Sequence, residues 1–295
     1  MALTDGVLTV VLIVVLVCGA GVGWLLATLI HRQRRQRELQ ASLEEQASRE
    51  AEQLARQQAE EAQEARRAFT ANVSHELKTP LTVISGYAEL LKEGKVKPED
   101  ITEVSSLVYE EAGYMLSLVD DVLTLSQLDE YIATDNTSAH LALVDLAVVA
   151  EAVLAQLEPF AVHNQVSCEL SKTGDTTVMG IKRLLTSIVY NLCENAIRYN
   201  VAGGSMNVKI EGFNYKVRLV VSDTGRGIPK DAQPRVFERF YRVDAAHSRH
   251  SGGTGLGLAI VKHGAQYHKA TLSLESAPNE GTRITVEFPR LGCID

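Results

Sequence analysis

Hydrophobic residues form one long run at the start of the chain. Residues 6–30 carry no charged side chain and are rich in Val, Leu and Ile. That length exceeds the ~20 residues that a helix needs to cross a bilayer. A cleaved signal peptide is the alternative, but it would have basic residues ahead of the run, where the only charge is Asp5. The pattern predicts a retained transmembrane helix, with residues 1–31 as the anchor.

The charges that follow the run predict its orientation. Arg32, Arg34 and Arg35 come directly after it. By the positive-inside rule, the N-terminus lies outside the cell and the rest of the chain is cytoplasmic. We therefore expect a single-pass protein of the cell membrane, in contact with lipid. Gly19 and Gly23 have the spacing that lets two such helices approach closely, which is weak support for a dimer.

Residues 32–65 have the composition of a helical linker. Ala, Glu, Gln and Arg dominate, and there is no Gly or Pro between residues 33 and 68. Ala55, Ala62 and Phe69 are seven residues apart, which favours a thin parallel coiled coil that would carry a signal. A single charged helix or a disordered tract remains the alternative.

Residues 66–130 show helical spacing of apolar residues on both sides of a predicted turn at residues 95–100. Two such helices form a hairpin with more apolar surface than one hairpin can bury. Pairing two hairpins in a four-helix bundle solves this, so the pattern predicts a homodimer. Residues 131–141 are polar and are predicted to be a linker.

Residues 142–295 alternate between helical and strand patterns. Helices are predicted at residues 146–157, at 181–199 and from about 256, with strands at 166–170, 177–179, 206–210, 217–222, 271–276 and 282–288. Antiparallel hairpins with helices on one face predict a two-layer α/β sandwich. The fold class is therefore multidomain: a membrane helix, a helical linker, a helical bundle and an α/β domain.

Charge and cysteines exclude several kinds of function. The formal net charge of −8 argues against nucleic acid as the main partner. Four cysteines are scattered without a C-x-x-C spacing, so neither a zinc site nor a disulfide framework is indicated.

A histidine motif lies in the first predicted helix of the bundle. His75 is followed by Glu76, and Thr79 and Pro80 come one turn later. Residues four apart share a helix face, so His75 and Thr79 point the same way. Pro80 removes a backbone donor and should bend the helix just beyond them. By itself, a His–Glu pair is usually solvated helix surface.

Polar side chains cluster on the helix predicted at residues 181–199. Asn191, Glu194, Asn195 and Arg198 fall on one face. Amide oxygens with a nearby carboxylate suit a magnesium ion that keeps several waters and bridges to phosphates. An ordinary polar helix face is the simpler explanation for this cluster alone.

Three further clusters follow along the chain. Asp223 ends a strand ahead of Gly225 and Gly227, where a carboxylate can accept from an exocyclic amine and glycine permits close approach of a base. Residues 235–244 then lead into a polar run, 245–250, that we expect to be mobile. Residues 252–258 are rich in glycine and open a helix, which suits binding of polyphosphate by backbone amides. One glycine pattern is weak evidence, but four clusters within 70 residues are strong evidence.

These four clusters resemble the asparagine, first glycine, phenylalanine and second glycine boxes of the sensor histidine kinases of two-component systems. Residues 69–81 resemble the phospho-acceptor box of the same family. The resemblance extends over residues ~65 to 290 in family order. Residues 240–262 are most similar to kinases of the phosphate-responsive and cell-wall-stress type. The family implies a C-terminal ATP-binding domain of the Bergerat (GHKL) type.

The resemblance also implies roles in phosphoryl transfer. His75 would attack the γ-phosphate of ATP, with Glu76 orienting or deprotonating its other ring nitrogen. The phosphoryl group would then pass to an aspartate of a cognate response regulator. Thr79 matches the position that aligns water when such kinases dephosphorylate the regulator. Arg242 would stabilise the transferring charge.

For the nucleotide, the resemblance implies that Asn195 is the main Mg²⁺ ligand, assisted by Asn191 and Glu194. Asp223 would recognise the adenine amine. The other implied ATP contacts come from the same boxes and from the end of the chain: Arg198 at phosphate, Tyr199 on the adenine, Gly225, Gly227, Gly253, Thr254, Gly255, Leu256, Gly257, and Thr282 closing the base pocket.

Two positions depart from the family pattern. Gly180-Ile181 stands where a Gly-Asp pair is usual, so a helix-capping contact is expected to be lost. His268-Lys269-Ala270 stands where a His-Gly-Gly turn is common. In addition, the roughly 35 residues after the span are too few for a typical sensor module, which favours a membrane sensor or transporter as a partner.

Two other functions compete with that of an active kinase. One is a pseudokinase scaffold that binds a regulator, acting mainly as its phosphatase; intact His75, Asn195 and Asp223 argue against it. The other is an ATP-driven conformational machine, which would need no acceptor histidine.

Overall fold

The computed structural model describes residues 2–134, 141–243 and 253–290. The chain divides into two compact units, Met1–Ala68 and Phe69–Asp295. Helix α1, Ala2–Lys92, supplies the whole of the first unit and begins the second. The linker predicted at residues 32–65 is therefore helical.

The predicted membrane span lies within α1. Within the span, burial is described for Gly19 and Trp24, and both are exposed. Within the described residues, one helix is long and apolar enough to cross a membrane, Leu146–His163. That helix packs in the core of the α/β domain, where Leu146, Val149 and Val153 are buried, so its composition reflects that core.

The second unit begins with the predicted pair of helices. After α1 come a turn, a short 3₁₀ helix at Pro98–Asp100, and helix α2, Ile101–Thr134. Helix α1 continues through Pro80, whose side chain is buried. Helix α2 extends four residues into the predicted linker because Tyr131 and Ile132 pack on an apolar cluster. The rest of that linker, residues 135–140, lies outside the described residues.

The α/β domain follows the predicted alternation of helices and strands. Its elements are β1 (Ala142–Asp145), α3 (Leu146–His163), β2 (Ser167–Thr173), β3 (Thr177–Gly180), α4 (Lys182–Arg198), β4 (Ser205–Gly212), β5 (Lys216–Asp223), α5 (Gly257–Tyr267), β6 (Thr271–Ser276) and β7 (Thr282–Pro289). Strand β1 was not predicted, because only Val144 of its four residues is buried and no alternation of apolar and polar residues shows.

The sheet is mixed, with strand order β2-β4-β5-β7-β6. Strands β4, β5, β7 and β6 pair antiparallel, as predicted. Strand β2 pairs parallel to β4, so the expectation of antiparallel hairpins alone is wrong there. The reason is the connection: β3 and α4 lie between β2 and β4, and a crossover of that length returns the chain to the same end of the sheet. Strands β1 and β3 form a separate antiparallel pair.

Alternate residues of the central strands build the main core. Val208 on β4, Leu219 on β5 and Val286 on β7 are fully buried on one face, against α3 and α4. The opposite face carries charged pairs, such as Arg218 with Glu287 at 2.7 Å. One apolar and one charged face give the predicted two-layer sandwich.

A second apolar cluster joins the helix pair to the α/β domain. Leu118, Leu125 and Leu128 on α2 are fully buried against residues at the start and along one side of α5. The remaining buried members are Leu184, Leu256, Ala259, Ile260 and Tyr267. Beside them, the Arg239 guanidinium donates to both carboxylate oxygens of Asp129, at 2.7 and 2.9 Å. This contact ties the segment that contains Arg239 to α2, and the same guanidinium lies 3.3 Å from Nε2 of His263 on α5.

The two departures from the family pattern meet in the fold. Ile181 is the N-cap of α4 and provides no side-chain cap, as expected. Its amide nevertheless donates to Nε2 of His268 at 3.2 Å. Because Nε2 accepts there, Nδ1 carries the ring proton and donates to the Gly264 carbonyl oxygen at 2.7 Å. Burial lowers the pKa of His268, consistent with this neutral ring.

Replacing Lys269 by glycine is expected to stabilise the protein by about 0.5–1 kcal/mol. Lys269 has a left-handed φ of 53° at the end of α5, a conformation that favours glycine. Lys262→Gly is the matched control, because it is an exposed lysine inside the same helix and should cost about 1 kcal/mol. Chemical denaturation of both variants measures the difference; destabilisation by both would contradict the prediction.

Candidate active site

A cavity of about 480 Å³ lies beside α4, at the ends of β5 and β7 and the start of α5. All four predicted clusters contribute to its wall. Those of the predicted residues that line it are Asn191, Glu194, Asn195, Arg198, Tyr199, Asp223, Gly227, Arg242, Gly253, Thr254, Gly255, Gly257 and Thr282. The structure therefore brings together segments that are separated by up to 90 residues in the sequence.

Helix α4 supplies the polar wall. The Asn191 amide nitrogen donates to the Ser187 carbonyl oxygen at 2.8 Å, which fixes the orientation of its side chain. Glu194 and Arg198 pair at 2.7 Å, and the Arg198 guanidinium stacks 5.2 Å from the centre of the Phe160 ring. The predicted shared face is confirmed, although Glu194 already has a cationic partner.

The donor set fits a magnesium ion that arrives with its nucleotide. Within the described residues there is no group of three His, Cys, Asp or Glu side chains that could hold a metal alone. The α4 wall instead offers two amides and one carboxylate, which suit Mg²⁺ only when phosphate oxygens and waters complete its octahedron. A β-carbon at Gly257 would overlap the Asn191 amide oxygen, so glycine keeps that oxygen close to the start of α5.

Asp223, the last residue of β5, lines the cavity. One of its carboxylate oxygens accepts from the amides of Gly225 at 2.8 Å and Thr282 at 3.2 Å. Burial raises the pKa of Asp223, and these two amides oppose the rise. The second oxygen is available to a ligand. A buried carboxylate held in this way can recognise an amine donor.

Two of the predicted nucleotide residues do not line the cavity. Gly225 does not line the cavity. Its amide donates a hydrogen bond to the Asp223 carboxylate. Leu256 is fully buried in the second apolar cluster, where it anchors α5. Residues 244–252, which include the polar run at 245–250, lie outside the described part of the chain.

Several wall residues were not predicted. Arg226, Ile228, Val236 and Tyr241 line the cavity, and each is adjacent to or within a predicted box. The sequence therefore predicts the segments that form the wall, but not which of their residues face the cavity.

Thr254 has an unexpected partner on α2. Its hydroxyl donates to the Asp121 carboxylate at 2.6 Å. The Leu256 amide in turn donates to the Thr254 hydroxyl at 3.2 Å. Asp121 is 133 residues away in the chain, and nothing in its local sequence indicates this contact.

Arg242 also faces the cavity. Arg242 lines it, and its Nε is buried without a hydrogen-bond partner among the described residues. A buried guanidinium nitrogen without a partner favours an anionic ligand at this point. Its position fits the predicted role at phosphate.

The residues predicted to accept the phosphoryl group lie on α1 and not in the cavity. His75 and Thr79 are exposed, and the Thr79 hydroxyl donates to the His75 carbonyl oxygen at 3.3 Å. Glu76 is half-buried and accepts from the Tyr114 hydroxyl at 3.0 Å. The shared face of His75 and Thr79 is as predicted, and Tyr114 is an unpredicted neighbour.

Comparisons with known proteins agree with this architecture. A family model described as Histidine kinase-, DNA gyrase B-, and HSP90-like ATPase matches residues 180–292. A second, described as His Kinase A (phospho-acceptor) domain, matches residues 65–131. The chain belongs to the sensor histidine kinases of two-component systems.

Individual relatives are similar over the same region. The chain is 35% identical over 224 residues to the sensor-like histidine kinase SenX3 of Mycolicibacterium smegmatis, covering 76% of this chain and 57% of the relative. It is 35% identical over 229 residues to the phosphate regulon sensor protein PhoR of Pseudomonas aeruginosa, covering 76% and 50%. The chain thus spans about half the length of the curated relatives it matches.

A solved structure shows the same fold. The histidine kinase AdeS of Acinetobacter baumannii superimposes with a TM-score of 0.59 at 26% identity, covering 74% of this chain and 98% of that one. The helical phospho-acceptor region and the α/β ATPase domain therefore occur together in both.

Gly281→Ala is expected to weaken ATP binding by at least about tenfold. Gly281 has a φ of 82°, and a β-carbon there would overlap the Asp223 carbonyl oxygen, displacing the end of β5. Gly203→Ala is the matched control, with a φ of 79° and no neighbour within 4 Å. It should lose about 1 kcal/mol of stability and no affinity. Titration with a fluorescent ATP analogue distinguishes them; equal affinities would refute the role of Gly281.

Asp121→Asn is expected to stabilise the protein at pH 7.5 by on the order of 2 kcal/mol. Burial, opposed by the Thr254 hydrogen bond, raises the pKa of Asp121 to about 6. A carboxyl with a raised folded-state pKa destabilises the folded state above that pKa, and stability returns as pH falls towards the unfolded value.

The gain in Asp121→Asn should therefore shrink by about half at pH 5. Denaturant unfolding at both pH values measures this. Asp120→Asn, an exposed neighbour, should show no such pH-dependent gain. A gain independent of pH would contradict the assignment.

Proposed function

We propose that this protein is an ATP-dependent histidine kinase that phosphorylates its own His75. The observation that carries the proposal is the cavity itself, where Asn195, Asp223 and the glycine loop converge on one volume. That cavity belongs to a domain packed on the helix pair that presents an exposed histidine. A donor site and an acceptor are thus held by one compact unit.

One part of the cavity is suited to the adenine of ATP, and another part is suited to its phosphates. Asp223 would accept from the adenine amine, with Tyr199 and Thr282 at the sides of the base. The amides of Gly253, Gly255 and Gly257 would receive phosphate oxygens at the start of α5, where the helix dipole favours negative charge. Mg²⁺, held by Asn195 with help from Asn191 and Glu194, would neutralise phosphate charge.

The chemistry on the chain's own side begins at His75. One imidazole nitrogen attacks the γ-phosphorus while Glu76 takes the proton from the other nitrogen. Arg242 stabilises negative charge on the transferring group from the nucleotide side. Glu76 is next to His75 on α1, and Arg242 lines the cavity. Glu76 therefore acts on the acceptor histidine, and Arg242 acts on the transferring phosphoryl group from the nucleotide side.

We extend the proposal to the partner protein. The phosphoryl group passes from His75 to an aspartate of a cognate response regulator, and Thr79 aligns water when the regulator is dephosphorylated. The exposure of both side chains on α1 supports access by a second protein. The similarity to PhoR supports a kinase of the phosphate-responsive type.

Assembly as a homodimer is part of the same proposal. Large apolar side chains stay exposed on the helix pair, among them Leu81, Leu116 and Leu123. A four-helix bundle formed with a second copy would bury such residues.

The organisation proposed is an anchor at 1–31, a signalling linker at 32–65, the bundle at 66–130, a linker at 131–141 and the ATP-binding domain at 142–295. The linker would form a coiled coil below a single membrane span, which would receive its stimulus from a membrane sensor or transporter.

Incubating the purified chain with γ-labelled ATP and Mg²⁺ is expected to give an acid-labile, base-stable phosphoprotein. His75→Gln should abolish the label, because no other nucleophile occupies its place on α1. Thr79→Ala should keep it, since Thr79 serves the reverse process. His163→Gln, an exposed histidine on α3, is the control for histidine loss elsewhere. Label that persists without His75 would refute the assignment.

A further inference from the structure

Tyr114 makes a contact that the proposed function does not use. It lies on α2, and its hydroxyl donates to Oε2 of Glu76 on α1 at 3.0 Å. Glu76 is the residue next to His75. The hydrogen bond therefore ties one oxygen of the proposed base to the second helix of the hairpin.

The direction of this hydrogen bond is fixed. Burial, followed by the charge of Glu76 and the hydrogen bond to it, raises the pKa of Tyr114 to about 12. The hydroxyl therefore keeps its proton throughout the neutral range and can only donate to the ionised carboxylate.

Tyr114 also lies near a residue of the nucleotide cavity. The positive charge of Arg242 lowers its pKa, in opposition to burial, so that guanidinium lies within electrostatic reach of the phenol. Arg242 lines the nucleotide cavity. Glu111, one turn earlier on α2, acts in the same sense as Glu76. The phenol is thus near groups assigned to both sides of the transfer.

We propose that Tyr114 is a positioning residue for phosphoryl transfer to His75: its hydroxyl holds Oε2 of Glu76, so that Oε1 faces the imidazole. The inference rests on the proposed function, because it needs Glu76 to act as the base. It extends the arrangement of nucleophile, base and a third group that orients the base.

The proton balance leaves Tyr114 unchanged. An imidazole nitrogen lone pair forms the bond to the γ-phosphorus, and the bond to the bridging oxygen breaks, so ADP leaves with that electron pair. The proton on the other ring nitrogen goes to Oε1 of Glu76. Tyr114 donates its hydrogen bond throughout and transfers no proton.

A purely structural role for Tyr114 makes a different prediction. If Tyr114 only joined the two helices, its loss would lower the labelling rate by the same factor whether or not residue 76 could take a proton. If it positions Glu76, its loss matters only while Glu76 is a base. A double-mutant cycle separates the two, because residues that act as a unit are not additive.

The experiment measures initial rates of labelling of His75 in the full chain, with γ-labelled ATP and Mg²⁺. Tyr114→Phe is expected to lower the maximal rate by about tenfold with the KM for ATP unchanged, since Tyr114 is not in the cavity wall. The double variant with Glu76→Gln should be no slower than Glu76→Gln alone. Tyr109→Phe, an exposed tyrosine on the same helix, is the matched control and should keep the full rate.

A full rate in Tyr114→Phe, or losses that multiply in the double variant, would overturn the inference while leaving the proposed function intact. A wild-type chain that takes up no label on His75 would refute both.

A second pair of variants tests the same idea if Tyr114→Phe unfolds. Tyr114→Gln keeps a donor that can reach Glu76, whereas Tyr114→Leu has none. At equal melting temperatures, the Gln variant is expected to label His75 at least about threefold faster. Equal rates would overturn the inference.

Discussion

The apolar contact between α2 and α5 is the constraint on which the rest of the site depends. Leu118, Leu125 and Leu128 exclude water from one side of α5, and Leu256 anchors its first turn. Since the glycine loop leads directly into that turn, packing of the helix also places the amides that are proposed to bind phosphate. The hydrophobic contact has no directional preference, yet it fixes where the amide hydrogen-bond donors of the loop lie. The loop is close to the helix pair because of leucines that have no chemistry of their own.

Polar groups around this contact connect the two halves of the transfer machinery. Asp129 holds Arg239, Asp121 holds Thr254, and Tyr114 holds Glu76. All three lie on α2, so this helix is both the scaffold of the bundle and a partner of the ATP-binding domain. The burial that strengthens such contacts also raises the pKa of Asp121 and Tyr114. The contact between Asp121 and Thr254 is therefore sensitive to the protonation of Asp121.

Much of the site could be predicted because its motifs are local. The face shared by Asn191 and Asn195 follows from helical spacing, and Asp223 follows from its place at the end of a strand. The contributions of Gly225 and Leu256 could not be predicted, because whether a loop residue faces a cavity depends on the segments packed behind it. The parallel pairing of β2 with β4 was missed for a related reason: strand direction is set by the path of the connection between them.

The sequence by itself determined the order of most elements and the polar and glycine clusters that line the cavity, because these depend on periodicity and on residue spacing within one element. Tertiary structure alone decided which residues meet across long separations. His268 caps the start of α4 from 87 residues away, and Asp121 reaches Thr254 across 133. The physical reason is that a hydrogen bond needs two groups within about 3 Å, and local sequence does not encode which distant side chain the packing will bring there.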